Sequence, residues 1–163
     1  MGFAVKSLLA MIGSDVSRAP ESSPSRRPEK VDRLDRVLLV DDDTDLLHGL
    51  AQLLCERYQV LMASNGDEAL EILDREPVDV VVLDMLMPLL DGQTVLRELR
   101  AKSRRPSVVV VSARPDLIAQ SMEIGADDFL AKPFGIGQLE RKIQGLVDRP
   151  PRRAAQERVH SPG

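Results

Sequence analysis

Between residues 37 and 148 the apolar positions of the chain alternate between two rhythms. Val37-Leu38-Leu39-Val40 is an unbroken apolar run, as a strand buried on both faces requires. Leu46, Leu47, Leu50, Leu53 and Leu54 then recur at helical spacing. Gln59 to Ala63 reads as a weaker strand. Ala69, Leu70 and Leu73 mark a second helix, opened by Gly66-Asp67-Glu68 with acids where the helix dipole favours them. Val80-Val81-Val82-Leu83 is a further buried strand, and Val95, Leu96 and Leu99 give a helix after Asp91-Gly92. Val108 to Val111 predicts a fourth strand, with Leu117, Ile118 and Met122 on the helix that follows. Asp128 to Ala131 is a short fifth strand, and Leu139, Ile143 and Leu146 sit at i, i+4, i+7 on a last helix.

Five strands alternating with five helices predict an α/β fold. Runs that are apolar on both faces need helices above and below, so the economical arrangement is a doubly wound, five-stranded parallel sheet. In such sheets ligands bind at the carboxyl ends of the strands.

Composition changes little in this picture. The chain has 163 residues, 43% of them hydrophobic and only 2% aromatic, so the core is expected to consist of aliphatic side chains. Cys55 is the one cysteine, which excludes an intrachain disulfide, and its place beside the leucine stripe predicts a small apolar filler. Charge is uneven. Residues 37–148 carry eleven Lys/Arg against twenty Asp/Glu, whereas both flanks are mildly basic. An acidic body is a poor surface for nucleic acid. No apolar run approaches the ~20 residues of a membrane span, so no membrane insertion is expected. The segment Phe3 to Ile12 is interrupted by Lys6 and lacks a clear cleavage site, so it reads as a leader and not a signal peptide; a cytoplasmic location is expected. Residues 1–35 are expected to form a flexible leader, and 149–163 a disordered basic tail.

The ends of the strong strands carry the chemistry. The first ends in Asp41-Asp42-Asp43, the third in Asp84, the fourth in Ser112-Ala113, and the fifth is followed by Lys132-Pro133. A parallel sheet brings these to one edge, where crowded carboxylates repel one another unless a cation intervenes. Mg2+ suits an all-oxygen donor set and keeps waters that a phosphate can displace. A carboxylate can act as a nucleophile towards phosphorus, and a lysine and a hydroxyl can hold the transferred oxygens.

The stretches VLLVDDD, VVLDMLMPLLDG, VVVVSA and FLAKPF, in this order, resemble the receiver domains of bacterial two-component response regulators. The resemblance spans about Arg36 to Asp148, giving a receiver domain over 36–148 with the flavodoxin-like fold. It implies Asp84 as phosphoacceptor, Asp42 as direct metal ligand, Asp41 as a ligand acting mostly through water, and the Leu86 backbone carbonyl as a third protein ligand of Mg2+. It implies Ser112 as the switch hydroxyl, Lys132 as the phosphate-binding lysine, and Phe129 as the switch aromatic. Pro133 falls where the family has a cis peptide, and Gly92 in the loop after the phosphoacceptor. The partners implied are a sensor histidine kinase or phosphotransfer protein and a downstream protein target. With so short a segment after residue 148, no direct DNA binding is expected and output passes through another protein.

Singly, these residues have blander roles: Asp43 and Thr44 cap a helix well, Ser112 suits a turn, and Phe129 suits a core. His48 reads as a surface or packing histidine. Two other functions compete with this one. A haloacid-dehalogenase-like aspartyl-phosphate phosphatase would carry a second acid two residues after the nucleophile, where Leu86 stands. A degenerate receiver serving only as an interaction module would lack part of the acidic, hydroxyl and lysine set. The chain is therefore expected to catalyse only its own phosphorylation and dephosphorylation.

Overall fold

The computed structural model describes residues 34–88, 90–103 and 105–149. Apart from Leu34, Asp35 and Arg149, the expected leader and tail lie outside the described residues. The elements follow in strict alternation: β1 Arg36–Val40, α1 Thr44–Leu54, β2 Gln59–Ala63, α2 Gly66–Arg75, β3 Val80–Asp84, α3 Gly92–Ala101, β4 Ser107–Ser112, α4 Pro115–Ile124, β5 Asp128–Ala131 and α5 Ile136–Val147. The strands form one parallel sheet in the order β2-β1-β3-β4-β5.

Strand side chains alternate between the two faces, and each face has its own core. Leu39, Val82, Val109, Val111 and Leu130 pack under Leu47 and Leu54 of α1 and Leu139, Ile143 and Leu146 of α5. Leu38, Val81, Leu83 and Val110 pack under Ala69 of α2 and Val95, Leu96 and Leu99 of α3. The unbroken apolar runs are thus explained: both faces of β1, β3 and β4 are covered.

Helix starts follow capping chemistry. Asp43 accepts the N–H of Leu46, Asn65 that of Glu68, and Asp91 that of Thr94, each satisfying a donor the helix leaves open. The α4 helix ends at Gly125, whose φ of 118° belongs to the left-handed region.

Three expectations from the hydrophobic pattern are corrected. Cys55 is exposed and caps the C-terminal end of α1, so it fills no core space. Leu53 is exposed although it lies at stripe spacing, because the buried face of α1 runs through Leu47 and Leu54. Met122 is also exposed; the buried residue of α4 is its neighbour Ser121, whose hydroxyl donates back to Leu117 O at 2.5 Å and so needs no outside partner.

Candidate functional site

The carboxyl ends of β1 and β3 lie side by side because these strands pair in register, Val40 with Leu83. Asp41 and Asp84 follow directly and are both buried. Asp42 is exposed and turns its carboxylate into the same space: oxygens of Asp41, Asp42 and Asp84 lie within 4.8 Å of one another. Lys132 reaches in from the end of β5. Its Nζ donates to Asp41 Oδ2 at 3.0 Å and stands 3.6 Å from Asp84 Oδ1. The Lys132–Pro133 peptide is cis.

The loops complete the frame. Asp41 Oδ1 accepts the N–H of Asp43, and Asp84 Oδ1 accepts that of Leu86 at 3.3 Å. The Leu86 side chain is exposed. Ser112 closes β4, fully buried, and its Oγ accepts the N–H of Arg114 at 3.1 Å. Gly92 opens α3 hard against β3: a Cβ there would stand 2.6 Å from the Asp84 carbonyl oxygen. Phe129 lies further down β5, opposite Val110 in register, with 42% of its surface exposed. The structure thus brings Asp41, Asp42, Asp84 and Lys132 into one cluster, with Ser112 and Leu86 on its rim and Phe129 outside it.

The electrostatics follow from this crowding. Burial pushes the Asp84 carboxyl above its usual range; Lys132 opposes the shift, and the neighbouring Asp41 adds to it. Burial works against the charge on Lys132, but the hydrogen bond it donates to Asp41 and the charge of Asp84 outweigh it and hold the ammonium above its ordinary value. Three hard oxygen donors beside a single ammonium are a donor set that suits Mg2+, so the residues fit that ion.

Among the described residues two clefts are lined in part by residues of the cluster and its rim. One of about 630 Å3 lies between α1 and the β5–α5 loop and is lined by Leu46, Leu50 and Lys132 among others. The other, about 410 Å3, lies between the β3–α3 loop and α4, with Leu86 and Arg114 in its wall. Sequence reasoning missed the Arg114 N–H on Ser112, because a backbone donor leaves no trace in residue type.

The model of the family described as response regulator receiver domain matches residues 37–144. The chain is 42% identical over 118 residues to the transcriptional regulatory protein PrrA of Mycobacterium tuberculosis, covering 70% of this chain and 50% of that one. The chain therefore spans about half the length of the curated relatives it matches. Among solved structures it is similar to a CheY-like response regulator receiver domain protein from Methanospirillum hungatei, with a TM-score of 0.66, 28% identity, and coverage of 71% of this chain and 95% of that one. It is also similar to the response regulator protein TrrA from Thermotoga maritima in complex with Mg2+-BeF, with a TM-score of 0.64, 30% identity, and coverage of 69% and 99%.

Proposed function

Since the chain belongs to the response regulator receiver family, we propose that Asp84 is the phosphoacceptor of a signalling switch, fed by a sensor histidine kinase or a phosphotransfer protein. The observation that carries this reading is the convergence of Asp84 with Asp41, Asp42 and Lys132 at one sheet edge. An Asp84 carboxylate oxygen attacks the phosphorus of the donor's phosphohistidine. The new O–P bond forms as the P–N bond breaks, and the freed imidazole takes up a proton. Asp42 would hold Mg2+ directly and Asp41 mostly through water, with Asp84 and the Leu86 carbonyl as the remaining protein donors. When bound, the ion neutralises charge that gathers on the phosphoryl oxygens. Lys132 turns its ammonium to one phosphoryl oxygen, and Ser112, whose Oγ accepts the Arg114 N–H, donates its own O–H to another.

The receiver domain proposed here spans residues 36–148. Its signal leaves through a changed surface on α4, β5 and α5. Ser112 and Phe129 share one sheet face, since Phe129 pairs with Val110 and Ser112 lies two residues beyond it. Movement of the hydroxyl towards the phosphate opens room into which the ring turns, a two-state change biased by local charge. Pro133 and Gly92 shape the loops around this site. The acidic excess of this body sets it to act on a protein target and not on DNA, and the proposed setting is the cytoplasm. It turns over no external substrate, because Leu86 supplies no acid.

The test is Asp84→Asn incubated with labelled acetyl phosphate and Mg2+. The wild-type chain is expected to take up label and the variant none. Equal labelling of the two would remove Asp84 from the role.

A further inference from the structure

Phe129 is the large aromatic residue on β5, and its exposed ring is not left bare. Lys142, in the middle of α5, places its Nζ 5.4 Å from the centre of the ring. The same ammonium donates to Asp128 Oδ1 at 2.7 Å. That oxygen also accepts the Phe129 N–H at 2.8 Å. Ring, ammonium, carboxylate and backbone therefore form a closed cluster across β5 and α5, none of it shared with the acidic pocket.

We propose that Lys142 is a positioning residue: it holds the Phe129 ring in the outward state and so sets how readily the switch turns on. The inference rests on the reading of Phe129 as the switch aromatic and adds its restraint. A cation over the face of a ring is attracted by the ring's quadrupole. Asp128 keeps the ammonium at the edge of the sheet, so the charge does not follow the ring inward. Every inward turn of Phe129 then gives up the contact, while the Lys142–Asp128 pair survives in both states. A partly exposed contact of this kind weights the outward state by about two- to fivefold.

The restraint is separable from the chemistry at Asp84, and this makes it testable in the full chain. The chain contains three phenylalanines, so 4-fluorophenylalanine labelling gives a simple fluorine NMR spectrum. The resonance of Phe129 is assigned by its loss in Phe129→Leu, and its two limiting positions are read with Mg2+ alone and with Mg2+ plus beryllofluoride. Lys142→Met keeps the length of the side chain and removes its charge. It is expected to move the Mg2+-only resonance towards the beryllofluoride position and to speed labelling by acetyl phosphate by about two- to fivefold. Lys142→Arg restores a cation and is expected to return both readings to wild type. A lower thermal midpoint for Lys142→Met with an unmoved resonance reduces Lys142 to a structural role and overturns the proposal, as does a failure of arginine to restore. If beryllofluoride leaves the wild-type resonance where it was, Phe129 is no switch, and the underlying reading falls with the inference.

Discussion

At the scale of single residues, the charged groups that matter for stability are those that water does not reach. Arg105 and Asp127 form a two-pronged ion pair, 2.7 and 3.3 Å, with side chains 9% and 4% exposed. Asp127 Oδ2 also accepts the Val108 N–H, which ties the start of β4 to the approach to β5. Arg105→Ala takes the two-pronged cation away from that buried carboxylate and is expected to cost about 3 kcal/mol in guanidinium unfolding. Removing Arg75 from its pair with Glu71, both well exposed, is expected to leave the unfolding midpoint unchanged. Tyr58 offers a second readout. It is the one tyrosine in a chain without tryptophan, so phenolate absorbance reports on it alone. Burial, reinforced by Glu140, raises its pKa above the ordinary 10.0. Its titration midpoint is therefore expected above 10. The sign follows for stability: the contribution is whole below the unfolded value and is lost as pH climbs through the folded one. Of the site, the four strand-end residues were legible in the sequence because strand ends of a parallel sheet must converge. Cys55, Met122 and Leu53 misled because apolar character fixes a preference for burial and not which side of a stripe faces the core. The partnership of Lys142 with Phe129 was invisible, since β5 and α5 meet only in the folded chain.

At the scale of elements, helix ends decide how tightly the frame closes. At Gly92 the obstacle is backbone: an added Cβ meets the Asp84 carbonyl and Met85 Cα, neither of which can swing aside. Gly92→Ala is expected to displace the start of α3 from the end of β3, to cost about 1–3 kcal/mol, and to slow labelling of Asp84 by acetyl phosphate. Labelling at the wild-type rate would show that the β3–α3 loop tolerates the shift. Gly125→Ala is a different case. There the obstacles are the positive φ and the Arg100 side chain, which unlike backbone can swing aside, and a loss of about 1 kcal/mol with unchanged labelling is expected, since α4's far end lies away from the pocket. All ten elements were legible from apolar rhythm, and β2 and β5 begin and end where the pattern places them. Helix starts lie upstream of their apolar stripes because the caps set them: α1 begins at Thr44, behind Asp43, two residues before the first leucine of its stripe. Strand order was beyond the pattern, because alternation fixes the count of crossovers and not which strand lies centrally.

At the scale of the whole molecule, the question is what balances an acid-lined pocket in a body where acids outnumber bases. Among the described residues no helix is long and apolar enough to cross a membrane, and the body depends on its two aliphatic cores. Lys132 answers Asp41 and Asp84 from within. Mg2+ is expected to raise the thermal midpoint by binding the folded state alone, and to raise it further in Lys132→Ala, where the ion meets less repulsion. Equal gains in the two proteins would mean that lysine and metal do not compete for the same oxygens. A built-in counter-ion also separates two things that many metal proteins join. The polypeptide is expected to reach its finished shape without magnesium, so that chelating the ion abolishes labelling by acetyl phosphate while a cooperative thermal unfolding transition remains.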